Sequence, residues 1–122
     1  MAEALAGGWT VEPYERTRSD RPVVTFLESL DGRDAREAAA RIAALTMRGN
    51  QMRGPDSKAV EGQRNLFELR GHQVRIFYMF LPGRRIVLLD GLIKKQDRIP
   101  ERDLTRVLAY QADVDRRGPR AP

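Results

Sequence analysis

The sequence predicts an α+β fold, a small antiparallel β-sheet with helices packed on one face, in the order β-α-α-β-β-β-α. Three observations predict it. The stretch NLFELRGHQVRIFYMFLPGRRIVLLDGLIKK, from Asn65 to Lys95, reads as three strands joined by tight turns. Two segments ahead of it and one behind it place apolar residues at steps of three and four, the spacing of an amphipathic helix. At 122 residues, with no repeat and no linker-like stretch, the chain makes one domain.

Residues 1–8 are small and end in Gly-Gly, which predicts a disordered lead-in, followed by a single domain over 9–115 and a disordered tail over 116–122. Trp9 to Arg16 alternates in part and reads as the first strand, with Pro13 confining it to a sheet edge or a bulge. Asp20 as N-cap and Pro22 in the first turn open a short helix with Val23, Phe26, Leu27 and Leu30 on its apolar side. Asp31-Gly32 stops it. Asp34 to Gly49 is the clearest helix, with Ala35, Ala38, Ala39, Ile42 and Leu45 in one stripe and Gly49-Asn50 as its C-cap. Gln51 to Gly62 reads as loop. After the three strands, Pro100 to Asp103 opens a final helix whose apolar face is Leu104, Val107 and Leu108.

Side chains alternate across a strand, so parity assigns faces within the hairpin. A loop of two residues (His72-Gln73) or of four (Gly71 to Val74) pairs Arg70 with Arg75, Leu69 with Ile76 and Phe67 with Tyr78. The last four form an apolar face for the helices. The other face carries Leu66, Glu68, Arg70, Arg75, Phe77 and Met79, and leaves Arg75 on an open surface. Two arginines directly opposite oppose folding by roughly 0.2–1 kcal/mol. A phosphate bound between them turns that repulsion into charge-assisted hydrogen bonds. Glu68 stands on the same face, placed to neutralise the pair or to act as a base. Lys94 and Lys95 end the last strand, and alternation sends them to opposite faces. The competing sets Ile86, Leu88, Leu92 and Val87, Leu89, Ile93 do not decide which lysine faces the arginines.

Charge points the same way. Arg64 to Lys95 holds seven basic residues against Glu68 and Asp90, a surplus that equals the +5 of the whole chain. Such a sheet suits a polyanion, and Lys58, Arg53 and Arg85 extend its basic surface. With no Cys and a single His, His72, there is no thiol nucleophile and no histidine-based metal motif, so neither metal nor cofactor is expected. No apolar run approaches a membrane span and no signal peptide is evident. Trp9, Phe77 and Tyr78 read as core rather than as base-stacking platforms.

The phrases VVTFLESL, MRGPDSKAVEG, NLFELRGHQVRIFYMF and IVLLDGLIKKQDRIPERDL together give the chain a specific likeness. From Trp9 to Gln111 it resembles the RelE/ParE superfamily of type II toxins, in the HigB-like, phage-derived branch. The resemblance implies helices on one face of the sheet and an open basic groove on the other. It also implies a cytoplasmic toxin that cleaves mRNA on the ribosome without metal and is silenced by a cognate antitoxin, a helix-turn-helix protein of the HigA kind. Cleavage of this sort is attack by a ribose 2′-OH on the adjacent phosphate, giving a 2′,3′-cyclic phosphate. By motif position Arg75 matches the phosphate-clamping arginine of the family and Lys95 the basic residue closing the last strand. Arg70 and Lys94 match flanking basic positions, and Glu68 stands where some relatives carry a basic residue, so a base role for it is inferred from its place beside the arginines and not from the family. Several relatives place a Tyr or His near the start of the final helix or at the chain end. Here Gln96 to Glu101 offers neither, which leaves the general base between Glu68 and Lys95. The same likeness admits a ParE-like inhibitor of DNA gyrase, or an inactive phage-derived binding protein.

Overall fold

The computed structural model describes residues 8–122. The expected lead-in, Gly8 apart, lies outside the described residues. The elements run β1 (Thr10–Pro13), α1 (Pro22–Glu28), α2 (Gly32–Arg48), β2 (Ser57–Ala59), β3 (Phe67–Gly71), β4 (Val74–Leu81), β5 (Arg85–Ile93) and α3 (Glu101–Arg117). The predicted order is kept, with β2 added inside the stretch expected to be loop. Three residues are too few for alternation to show, so nothing in the sequence pattern marks that strand.

The strands form one five-stranded sheet in the order β1-β5-β4-β3-β2. β1 runs parallel to β5 and the other pairs are antiparallel, so the sheet is mixed rather than wholly antiparallel. Parallel neighbours need a long connection, and here it is most of the chain. Pro13 lies on an edge strand, as expected, and the opposite edge is the short β2 with Lys58 at its centre.

Local signals mostly hold. α1 begins at Pro22, but Arg21 rather than Asp20 occupies the cap position. Asp20 instead pairs with Arg16 and bridges to Thr17. α2 ends at Gly49, whose φ is 53° and where a Cβ would lie 2.0 Å from the Trp9 indole. Only glycine serves there. The β3–β4 hairpin has the two-residue loop and the register read from parity: Arg70 faces Arg75, Leu69 faces Ile76 and Phe67 faces Tyr78.

Helices cover both faces of the sheet, not one. On the first face Val23, Ala38 and Leu45 of α1 and α2 pack on Leu69, Ile76, Tyr78, Ile86 and Leu88. On the second, Val107 and Val114 of α3 pack on Leu66, Phe77, Met79, Val87 and Leu89. β4 and β5 are apolar at both parities, so each face needs cover. That is why parity could not choose a face for the last strand. The open groove expected opposite the helices is thereby narrowed to clefts beside α3. A bulge pairs Phe77 with Asp90 but Tyr78 with Leu88, so Leu89 is the extra residue in β5.

The segment 116–122, expected to be disordered, is docked. α3 runs to Arg117, Pro119 is buried, and its carbonyl accepts the Glu15 N–H at 2.7 Å. The Ala121 N–H donates to Glu15 Oε1 at 3.0 Å, and Arg117 donates to the carbonyls of Glu15 and Arg120. The polar backbone leaving β1 is satisfied by these residues. Among the described residues, no helix is long and apolar enough to cross a membrane.

Candidate functional site

β3 and β4 bring three of the expected residues together on the α3 face, at the hairpin end of the sheet. Glu68 Oε1 lies 3.4 Å from Arg70 Nε and 3.9 Å from Arg75 Nε. The two arginines are cross-strand partners, so the carboxylate balances a repulsion that the register imposes. Arg75 is not open, as parity alone had it. It is 6% exposed, and its Nη1 donates to the carbonyls of His72 at 2.8 Å and Val74 at 2.9 Å. The guanidinium is thus held against the carbonyls of its own hairpin turn. Burial, then the nearby Arg70, push the Arg75 guanidinium down from its ordinary value, with Glu68 opposing them.

Arg70 is held differently. Its backbone N–H donates to Asp56 at 2.8 Å, but its side-chain Nε is buried without a hydrogen-bond partner. The contact with Glu68 balances its charge without satisfying its donor. A cleft of ≈ 270 Å³ opens over these residues, lined by Glu68, Arg70 and Lys58 from the sheet and by Asp97, Arg98, Ile99 and Leu104 from the approach to α3.

Lys94 and Lys95 line a second cleft of ≈ 640 Å³, with Phe26, Leu92, Arg98 and Arg102. β5 ends at Ile93, so strand alternation no longer governs the two lysines, and they share one cleft instead of taking opposite faces. Lys94 Nζ lies 3.3 Å from Asp97 Oδ1, and Lys95 is exposed. Arg98 lines both clefts and so joins them.

Two expected residues lie elsewhere. Arg85 begins β5 at the far end of the strand from Lys94, where it pairs with Glu12 at 3.1 Å. Arg53 turns its Nη1 to the carbonyls of Asn50 and Met52 and lines neither cleft. His72 faces α2, 3.9 Å from Asp34. Phe77 and Tyr78 are core, and Trp9 packs edge-on against Phe80. Arg98 and Arg102 were missed by sequence reasoning. Their signal was present, because both follow the lysine pair closely and flank Pro100, where the chain must turn back along the sheet. Among the described residues, no group of three or more His, Cys, Asp or Glu side chains is gathered to hold a metal ion.

Residues 25–110 match the family described as Phage derived protein Gp49-like (DUF891). No curated protein matches the chain by sequence. Among solved structures, the chain is similar to the crystal structure of the archaeal RelE–RelB complex from Pyrococcus horikoshii OT3. The TM-score is 0.57 at 18% identity, over 74% of this chain and 99% of that one. At that identity the likeness is one of fold, and the fold is RelE-like.

Proposed function

The chain belongs to the phage-derived Gp49-like family and has a RelE-like fold, and on that premise we propose that it is the toxin of a type II toxin–antitoxin system. It cleaves mRNA on the ribosome, stopping translation and growth, and works in the cytoplasm under the control of a HigA-like antitoxin. The observation that carries this reading is the unsatisfied Nε of Arg70, buried beside Arg75 and Glu68 at a cleft where Lys58 and Arg98 stand among Glu61 and Asp97. A phosphate oxygen completes that donor and relieves the arginine pair.

The same residues suit a metal-free transesterification. The ribose 2′-oxygen attacks the adjacent phosphorus and loses its proton to a base, Glu68 or Lys95. The bond from phosphorus to the 5′-oxygen breaks, leaving a 2′,3′-cyclic phosphate, and the departing oxygen takes a proton from a neighbouring cationic acid or from water. Arg70 meets the charge developing on the phosphorane, and Arg75 beneath it fixes the turn and adds positive potential. Lys58, Lys94 and Arg98 hold the flanking backbone.

The test is expression in bacteria with primer-extension mapping of mRNA ends. Codon-phased cleavage that needs translating ribosomes, and that disappears in Arg70→Ala, is the expected result. Growth arrest without cleavage, accompanied by loss of DNA supercoiling, would replace this reading with the gyrase one. Neither cleavage nor arrest would leave a binding protein. The proposed chemistry asks nothing of a divalent ion, so zinc or manganese added to the purified protein should leave its cleavage rate unchanged.

A further inference from the structure

Phe26 lies outside the chemistry just described, yet β5 is built around it. Its ring sits so close to the backbone of Gly91 that a Cβ there would lie 2.3 Å from it. The strand therefore carries glycine, and the ring is held in place. Phe26 lines the larger cleft together with Leu92 and Pro100, whereas Lys95, Arg98 and Arg102 supply cations. Among the described residues those three cations make no ion pair. An apolar, aromatic floor edged by unpaired cations fits a ligand with a flat, weakly polar body next to an anionic group.

We infer that this cleft is a nucleotide subsite, in which an unstacked nucleobase lies against Phe26 and Leu92 while Arg98 and Arg102 hold the phosphate beside it. The inference rests on the RNA-cleaving reading and adds to it a residue that sets base preference next to the scissile bond. Continuity favours RNA over an acidic peptide. Arg98 lines both this cleft and the one with Glu68 and Arg70, so a polynucleotide can run from one to the other past a single shared cation. The volume, ≈ 640 Å³, is within the range that holds a nucleotide-sized ligand.

Isotope-labelled full-length protein titrated with adenosine 5′-monophosphate, and in parallel with ribose 5-phosphate, tests this by NMR. The two probes carry the same charge and differ in the base. The expected result is shifts at Phe26, Leu92 and Arg98 and about tenfold tighter binding of the probe with the base. Phe26→Leu keeps apolar bulk over Gly91 and should erase that difference while leaving ribose 5-phosphate binding unchanged. Arg102→Gln, on the exposed side of the cleft, should weaken both probes alike. Equal binding of the two probes, shifts confined to Lys58, Glu68 and Arg70, or an Arg102→Gln variant indistinguishable from the parent would overturn the subsite. So would an acidic, leucine-rich peptide that shifts Phe26 where the nucleotide does not. The titration needs no ribosome, so its failure is separate from failure of mRNA cleavage, which the mapping experiment reads alone.

Discussion

Arg70 and Arg75 face each other across one hairpin, and removing each should have a different effect. Arg75 ties two turn carbonyls and is buried, so Arg75→Ala should cost about 1–3 kcal/mol of stability in urea titration, as unsatisfied buried polar groups do. Arg70 satisfies nothing with its Nε, and its loss relieves a like-charge pair. Arg70→Ala should therefore keep its urea midpoint while cleavage falls about 100- to 1,000-fold. Parity alone made the pair visible in the sequence, because register follows from a two-residue loop. Burial of Arg75 was not visible, since it depends on its guanidinium folding back onto the turn carbonyls of His72 and Val74. A second residue-scale effect is Tyr14. Burial, then its 2.6 Å hydrogen bond to the Asp113 carboxylate, push the phenol up to about 12. The folded state holds that proton more tightly than the unfolded state, so the associated stability is present below pH 10 and lost as pH rises through 12. The fall should reach about 2–3 kcal/mol in unfolding measured across that window. Tyr14→Phe should remove that share of the fall and leave what Tyr78 and Tyr110 contribute, since burial pushes their phenols up as well.

Among elements, α1 and β5 show how closely backbone and side chain can approach. Gly91 admits the Phe26 ring, and a Cβ there would also lie 3.0 Å from the Arg75 carbonyl. Gly91→Ala should cost about 1–3 kcal/mol by overpacking, read from urea midpoints. It should also shift the resonances of α1 more than those of α3. The helices and the three long strands were readable because each spans enough residues for its period to show. β2 was too short for that, and the docking of 116–122 depends on Glu15 and Arg117, which the sequence separates by most of its length. The turn from β5 into α3 was read for its missing Tyr or His, and its arginines passed unnoticed. Their nearness to the lysine pair and to Pro100 is visible in the sequence, but the placing of Arg98 between two clefts comes from the path of the chain.

At the scale of the molecule, the +5 charge is not spread evenly. Lys58, Arg70, Lys94, Lys95, Arg98 and Arg102 border the two joined clefts and outnumber Glu61, Glu68, Asp97 and Asp103 there, while Arg85 is neutralised by Glu12 at the opposite end of β5. Binding to single-stranded RNA should weaken linearly in log salt, and each lost phosphate contact should reduce the slope by about 0.7. Lys95→Gln should show that reduction, and Arg85→Gln should not. Fluorescence titration of a short oligoribonucleotide over a salt series separates them. The topology carries one more implication, for biosynthesis. β1 has its ladder partner only in β5, so the first strand to be translated waits, unpaired, for the last. The clefts themselves need side chains from Phe26 to Leu104. Vectorial synthesis thus completes the sheet and both clefts only once the chain has passed Leu104. On the proposed RNA-cleaving reading, a nascent copy acquires its site only after that point.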